Sequence, residues 1–252
     1  MISSKLSSVG KSLDKCSIPQ LMTIVITGAT KGIGRAIAEQ FATPKTTLFV
    51  CARNHEDLKA LKVFLQQQGA KVYIKKADVS KRKQVIAFAD FITKHTDKID
   101  ILVNNAGMFQ QGTITEEAEG LLEQMINTNL YSAYHLTRAL LPLLYANPKG
   151  HIFNMCSIAS EKAFPTASAY SISKFALLGF SKVLREELKN KNIKVTSLMP
   201  GATWSNAWAG VTLPKERIMQ AKDIAKVVWS AYQLGDSAVV EEIVIRPQLG
   251  DL

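Results

Sequence analysis

Short runs of β-branched and apolar residues alternate along this chain with longer segments of helical periodicity. The runs are MTIVIT (22–27), TTLFVC (46–51), KVYI (71–74), DILVNN (100–105), HIFNMC (151–156), IKVTSLM (193–199) and EEIVIR (241–246). Parallel strands must be joined by a crossover long enough to hold a helix, and such crossovers are right-handed. The alternation therefore predicts an α/β fold in which a doubly wound parallel sheet carries helices on both faces.

The predicted helices lie between these runs. One begins at about Ile33, and a long one covers residues 116–146 and ends before Pro148. Another contains Tyr170, and a further one lies near Asp223. No internal repeat or low-complexity linker interrupts them, so we expect one globular domain.

The first 21 residues differ in character from the rest of the chain. This segment is rich in serine and lysine, has weak periodicity and lacks the apolar centre of a secretory signal. We therefore expect residues 1–21 to be a flexible N-terminal extension and residues 22–252 to form the domain.

Composition excludes several classes of function. The chain has 252 residues, of which 47% are hydrophobic, and no apolar run reaches the roughly 18 residues that a membrane helix needs. The formal net charge of +10 is compatible with nucleic-acid binding. The lysines are dispersed, however, and no zinc-finger or RNA-binding aromatic motif accompanies them. We expect a solvated basic surface, with neither a nucleic-acid nor a membrane partner.

The cysteines and histidines are too few and too scattered for a metal site. The three cysteines are Cys16, Cys51 and Cys156, an odd number without Cys-x-x-Cys spacing. This pattern favours free thiols in a reducing compartment, and hence a cytoplasmic protein. The four histidines lack the spacing of metal ligands, so no metal is predicted.

The glycine-rich segment TGATKGIG, residues 27–34, lies between the first strand and the first helix. Gly28, Gly32 and Gly34 allow a tight turn and a close approach of the backbone to a ligand, while the helix N-terminus offers free N–H groups. Such a turn holds phosphate groups. Thr30, Lys31 and Ile33 belong to the same segment.

If the glycine-rich turn binds a nicotinamide dinucleotide, the residues at the end of the second strand indicate whether it is NAD or NADP. In NAD-binding domains an acidic residue there holds the adenosine ribose hydroxyls, but this strand ends in CARN, residues 51–54. Arg53 lies at this position and Lys31 lies within the glycine turn. Two cations without a carboxylate favour a 2′-phosphate, and therefore NADP(H). The alternative is that both are solvated surface charges.

Tyr170 and Lys174 lie four residues apart on one helical face. They could be a surface pair, or a proton donor and the cation that tunes it. A free tyrosine hydroxyl is too weak an acid for catalysis at neutral pH, but a neighbouring ammonium group favours the phenolate. The pair is therefore a candidate for general acid–base catalysis.

The ordered set of motifs resembles the short-chain dehydrogenase/reductase family, in its branch of single-domain proteins of about 250 residues. The motifs are TGATKGIG (27–34), ADV with Asp78 and Val79, NNAG (104–107), NTNL with Asn129, CS with Ser157, YSISK with Tyr170 and Lys174, and PG (200–201). Ser157 precedes Tyr170 by 13 residues (170 − 157), which matches the family spacing. The resemblance runs from Met22 to the last strand and implies a Rossmann-type domain.

The resemblance also implies roles for individual residues. Tyr170 would be the proton donor, Ser157 would polarise the substrate carbonyl, Lys174 would also bind the nicotinamide ribose, and Asn129 would hold a water that links Lys174 to solvent. Asp78 would meet the adenine edge. The segment Asn105, Ala106 and Gly107 would pass beneath the adenosine ribose. A homodimer or homotetramer is the assembly that the family commonly forms.

The segment after Pro200 and Gly201 departs from the family pattern. Relatives often carry Pro-Gly-x-x-x-Thr, whereas this chain has Ser205 at that spacing and Thr203 nearby. Either hydroxyl could contact the cofactor. The two tryptophans of this segment, Trp204 and Trp208, could contact the substrate or simply pack within the loop.

These observations predict an NADP(H)-dependent oxidoreductase that interconverts a small-molecule carbonyl and an alcohol. One alternative is a 3-oxoacyl-[acyl-carrier-protein] reductase, although the Val-x-Gly-Gly ending typical of those enzymes is absent. Another is a non-catalytic NADP-binding sensor, although such proteins typically lose part of the Ser-Tyr-Lys set. A nucleic-acid binder would show affinity that falls steeply with salt.

Overall fold

A computed structural model of the chain describes residues 21–204, 214 and 217–251. Within them, seven strands form one parallel sheet in the order β3-β2-β1-β4-β5-β6-β7. The strands are β1 (Met22–Thr27), β2 (Thr46–Ala52), β3 (Lys71–Lys76), β4 (Ile101–Asn104), β5 (His151–Met155), β6 (Lys194–Pro200) and β7 (Glu242–Ile245). The doubly wound α/β prediction is confirmed, and every predicted strand is present with ends that differ by at most two residues.

Helices cover both faces of this sheet. They are α1 (Gly32–Gln40), α2 (His55–Gln67), α3 (Arg82–Thr93), α4 (Leu121–Met125), α5 (Ser132–Tyr145), α6 (Ser168–Leu188) and α7 (Ala221–Tyr232). Among the described residues, no helix combines the length and the apolar character needed to cross a membrane.

Two apolar cores follow from the alternation of side chains along the strands. Ile24 and Ile26 of β1 point to one face, where they join a cluster with residues of α1, α2 and α7. Val25 points to the other face and joins residues of α3, α5 and α6. All three side chains are fully buried, and burial of each contributes about 1.5–3 kcal/mol. The sheet is therefore a rigid support for the loops at its edges.

The helical region predicted over 116–146 is wrong in its first part, whereas residues 121–145 are helical without a break. The structure begins α4 at Leu121, after Gly120, which has a φ of +81° that ends any helix running through it. A π-helical turn, Ile126–Tyr131, then joins α4 to α5. Such turns often mark positions where a side chain has a task that a regular helix would not allow. Here the turn contains Asn129.

The strand order creates a crevice at the carboxyl edge of the sheet. From β1 the chain crosses to β2 on one side, while β4 pairs with β1 on the other. The loops that follow β1 and β4 therefore diverge from a common point, which is where doubly wound proteins bind ligands. The glycine turn and the NNAG segment both lie there.

At the opposite edge, His151 is a buried histidine that must stay neutral. Its Nε2 lies 2.7 Å from Thr196 Oγ1, which itself donates to the carbonyl of Val240 at 2.6 Å. Thr196 therefore accepts the Nε2 proton, and Nδ1 has no partner among the described residues. Burial, together with the charge of Lys194, lowers the pKa of His151 to about 3.

This histidine predicts a pH dependence of stability. Its folded pKa lies below its unfolded value, so the unfolded chain binds more protons and stability falls as pH decreases from about 6.5 towards about 3. In that window His151 contributes a slope of about 1.4 kcal/mol per pH unit. Denaturant unfolding of the His151→Phe variant should show a shallower decline than wild type, and equal slopes would contradict the assignment.

Candidate active site

The glycine turn after β1 is held by close contact with the end of β4. Gly28 and Gly32 have φ values of +65° and +54°, which favour glycine. A Cβ on Gly34 would lie 2.3 Å from Asn105 Nδ2 and 2.5 Å from the carbonyl oxygen of Gly28. Glycine at position 34 is therefore required by space, and the start of α1 lies directly against this turn.

Hydrogen bonds from the end of β4 complete this contact. The backbone N–H groups of Asn105 and Ala106 both donate to Thr27 Oγ1 at 3.0 Å. Asn105 Nδ2 donates to the carbonyls of Thr27 at 2.9 Å and Gly28 at 3.2 Å. We call this set of contacts among Thr27, Gly28, Gly34, Asn105 and Ala106 the switch-point clamp. It fixes the two loops that border the crevice.

Lys174 is a buried cation with few partners. It is 5% exposed, and its Nζ donates to the carbonyl of Met155 at 2.7 Å. An ammonium group has three N–H donors, so two remain without an acceptor among the described residues, and no carboxylate there pairs with it. Burying such a charge is costly unless its remaining donors have another use.

Tyr170 lies one turn before Lys174, at the start of α6. The Lys174 ammonium is 5.7 Å from the centre of the Tyr170 ring, whose edge meets Phe109 at 4.9 Å between ring centres. A Cβ on Gly107 would lie 3.6 Å from Lys174 Nζ and 3.2 Å from Asn129 Oδ1. The structure thus brings Tyr170, Lys174, Gly107 and Asn129 together at one point of the crevice.

Asn129 anchors the chain after β4 to α6. Its side chain accepts from Met108 N at 2.8 Å and donates to Met108 O at 3.1 Å and to Ser173 Oγ at 2.9 Å. Both of its amide N–H groups therefore have protein acceptors. The water-holding role that the resemblance implies stays a prediction, whereas the geometry shows a support for the Gly107–Met108 segment.

Ser157 begins a short 3₁₀ turn after β5. Its Oγ accepts from Ala159 N at 3.1 Å, and its own N–H donates to Ser160 Oγ at 3.2 Å. The hydroxyl is thus a helix cap that keeps its proton for donation. Among the described residues, no hydrogen bond joins it to the Tyr170 hydroxyl. The carbonyl of Met155, two residues before Ser157, accepts from Lys174, so the loop that carries Ser157 begins next to Lys174.

At the far end of the crevice, the two predicted cations have different environments. Lys31 Nζ lies 3.4 Å from Asp57 Oδ2, in a half-exposed ion pair. Arg53 makes no ion pair among the described residues and lines an open cleft with Asn54, His55, Glu56 and Lys76. The sequence analysis expected two cations without a carboxylate, but the Asp57 carboxylate pairs with Lys31.

Lys76 is a cation that the sequence analysis missed. It is the last residue of β3 and is in register with Ala52, so its position adjoins Arg53 at the carboxyl edge. The sequence did show a positive charge here, in the two lysines that end KVYIKK. Such residues are more often solvated edge charges, and only the pairing of β2 with β3 places this one in the cleft.

The remaining predicted cofactor residues border the same crevice. Asp78 Oδ1 accepts from Ser80 N at 3.1 Å and Ser80 Oγ at 2.8 Å, so this oxygen is already used locally. Val79 and Ile33 are half-buried and pack against the two cores, and Thr30 is half-buried in the turn.

The segment after β6 is held through main-chain contacts. Thr203 is buried and its hydroxyl donates to the carbonyl of Gly201 at 3.0 Å. Trp204 N donates to Met219 O at 2.9 Å, and its side chain is half-buried. Trp208 and Ser205 lie outside the described residues, so their predicted roles stay predictions.

The two described thiols are structural. Burial raises the pKa of Cys51 to about 12, and burial likewise raises the pKa of Cys156 although the Lys174 charge opposes it. Both therefore remain protonated and unreactive. Within the part of the chain that the structure describes, no group of three or more His, Cys, Asp and Glu residues could hold a metal ion.

Comparison with known proteins gives consistent matches over most of the chain. A family model described as short chain dehydrogenase matches residues 22–215. A sepiapterin reductase from Chlorobaculum tepidum is 35% identical over 237 residues, which cover 91% of this chain and 97% of that protein.

Two solved structures share this architecture. An alcohol dehydrogenase from Thermococcus sibiricus, complexed with 5-hydroxy-NADP, has a TM-score of 0.84 at 28% identity and covers 92% of this chain and 98% of its own. An L-sorbose reductase from Gluconobacter frateurii, complexed with NADPH and L-sorbose, has a TM-score of 0.83 at 25% identity, with coverages of 91% and 97%.

The close approach at Gly34 yields a stability prediction. Gly34→Ala should destabilise the protein by about 3 kcal/mol, because the new methyl group would overlap main-chain and side-chain atoms of the switch-point clamp. Gly235→Ala is the matched control. Gly235 is exposed, has no positive φ, and its Cβ would meet no described atom within 4 Å, so this change should stay within about 0.5 kcal/mol of wild type. Thermal unfolding measures both, and a neutral Gly34→Ala would contradict the clamp.

Proposed function

The chain belongs to the short-chain dehydrogenase family, and we propose that it is an NADP(H)-dependent oxidoreductase that interconverts a carbonyl compound and an alcohol. The observation that carries this proposal is the buried Lys174 ammonium, which has two N–H groups without an acceptor in the described part of the chain and lies beneath Tyr170. In a purely structural role, burying this charge would only cost free energy. In the proposed role, its N–H groups bind cofactor hydroxyls and its charge favours the phenolate form of Tyr170.

The crevice fits a nicotinamide dinucleotide phosphate. The glycine turn leaves backbone close to the start of α1, where a pyrophosphate would lie against free N–H groups. Arg53 and Lys76 provide positive charge at the ends of β2 and β3, where a 2′-phosphate would be bound. The NADP and NADPH complexes of the two similar structures support this choice of cofactor. When bound, the cofactor supplies the hydride.

In this proposal Tyr170 gives a proton to the carbonyl oxygen of the substrate. The Lys174 charge stabilises the phenolate that remains, which lowers the barrier to proton transfer. Ser157 donates its uncommitted hydroxyl proton to the same oxygen and stabilises the developing negative charge. Asn129 keeps Gly107 and Met108 in place beside Lys174, so that the ammonium group can be approached.

The homodimer or homotetramer implied by the resemblance remains part of this proposal. Three apolar side chains of α6 are exposed on the monomer, with Ile172 at 42%, Phe175 at 44% and Val183 at 56%. They follow one stripe of the helix. A second copy would bury them.

Replacement of the proton donor tests the catalytic part of this proposal. Tyr170→Phe should lower turnover by about 10²- to 10⁴-fold while NADPH binding is retained, because only the hydroxyl is removed. Tyr145→Phe is the matched control, since Tyr145 is 49% exposed at the end of α5 and should change neither quantity. Steady-state kinetics and a binding titration measure the two effects. Near-wild-type turnover of Tyr170→Phe would exclude this tyrosine as the donor.

Cofactor selectivity tests the assignment of the phosphate-binding cations. Arg53→Gln and Lys76→Gln should each weaken NADPH binding by about tenfold and leave NADH binding unchanged. Lys31→Gln should have a smaller effect because Asp57 already pairs with Lys31. Lys94→Gln, at the C-terminal end of α3, is the control. If the ratio of NADPH to NADH affinity stayed constant in both variants, neither residue would bind the 2′-phosphate.

A further inference from the structure

The residues that follow β7 fold over the segment that follows β6. We call Arg246–Asp251 the β7 strap. Gly201 N donates to Ile245 O at 2.8 Å, immediately before the strap begins. A Cβ on Gly201 would lie 3.2 Å from Pro247 Cδ and 3.5 Å from Asp251 Oδ1. The strap therefore lies directly on Gly201, at the carboxyl edge of the sheet.

Arg217 connects the strap to the other side of this segment. Its guanidinium donates to the carbonyls of Gly250 at 2.9 Å and Asp251 at 2.7 Å. Two residues later, Met219 forms a parallel bridge with Thr203, and Met219 N donates to Ala202 O at 3.0 Å. The Arg217 side chain and the main chain of Met219 thus join the strap to Ala202–Thr203.

The carboxylate of Asp251 belongs to the last residue of the strap. Both of its oxygens bind the Arg246 guanidinium, with Nε to Oδ1 at 2.9 Å, and the side chain is only 19% exposed. Hydrogen bonding to Arg246 lowers the pKa of Asp251, and the charges of Lys162 and Arg217 lower it further. Lys162 follows the 3₁₀ turn that Ser157 caps. Because Arg246 begins the strap and Asp251 ends it, this ion pair closes the strap into a loop.

We propose that Asp251 is a positioning residue for the nicotinamide end of the site. Its ion pair with Arg246 joins the two ends of the strap, which keeps Pro247 and Asp251 packed against Gly201 and so fixes the position of the Gly201–Thr203 segment. This inference rests on the proposed function and adds that Pro200–Thr203 contacts the nicotinamide half of the cofactor, because the end of β6 lies beside the end of β5 and Ser157, and far from β2 and Arg53. The adenosine half binds at Arg53 and the glycine turn, and Asp251 makes no hydrogen bond to either among the described residues.

This separation allows a test with two probes, NADPH and 2′,5′-ADP, which is the adenosine half without the nicotinamide. Asp251→Asn should weaken NADPH binding by about tenfold and leave 2′,5′-ADP binding unchanged. Arg217→Gln should show the same selectivity, because it releases the strap from the opposite side. Asp251→Glu keeps the charge and should restore part of the NADPH affinity.

Asp236→Asn is the matched control, since it removes an exposed ion pair with Lys149 away from the strap. It should leave the affinity for both probes at the wild-type value. Unchanged NADPH binding in Asp251→Asn, or equal weakening of both probes, would overturn the positioning role, because a purely structural strap would affect both halves alike. A wild-type protein that bound neither probe would contradict the proposed function itself, and this inference with it.

Discussion

The switch-point clamp is the contact on which the rest of the site depends. A doubly wound sheet offers a crevice wherever its strand order reverses, but the crevice has a defined shape only if the loops on its two sides are fixed relative to each other. Here Asn105 binds the backbone of Thr27 and Gly28, and Gly34 allows this amide to approach within contact distance. Gly107, two residues after Asn105, lies next to Lys174, so the glycine turn and the Tyr170–Lys174 pair border the same loop.

A second constraint is electrostatic. The fold buries the Lys174 ammonium with Met155 O as its one acceptor among the described residues, and Asn129 binds the backbone of the neighbouring residue Met108. An underused buried charge of this kind is unfavourable for folding alone. In the proposed reaction it would be favourable, because the charge would already be in position when a phenolate forms on Tyr170, and little reorganisation would be needed.

The fold could be predicted because strand and helix periodicity is a local property, and the glycine, serine and tyrosine motifs have fixed spacing along the chain. Features that depend on contacts between residues distant in sequence could not be predicted in this way. The π-helical turn contains Asn129, whose side chain binds Met108 and Ser173 from segments distant in sequence. The position of Lys76 beside Arg53 results from strand pairing, and the contact of Asp251 with Gly201 results from the path of the chain after β7.

The central claim is that this crevice catalyses NADPH-dependent reduction of a carbonyl group. The most direct measurement is the loss of NADPH absorbance by the purified wild-type protein with ketones, aldehydes, quinones, 3-oxoacyl thioesters, sepiapterin and L-sorbose, with NADH in parallel. The account predicts NADPH oxidation with at least one of these classes and a clear preference for NADPH over NADH. Tight NADPH binding without oxidation by any carbonyl would contradict it and would indicate a protein that senses the cofactor without using it.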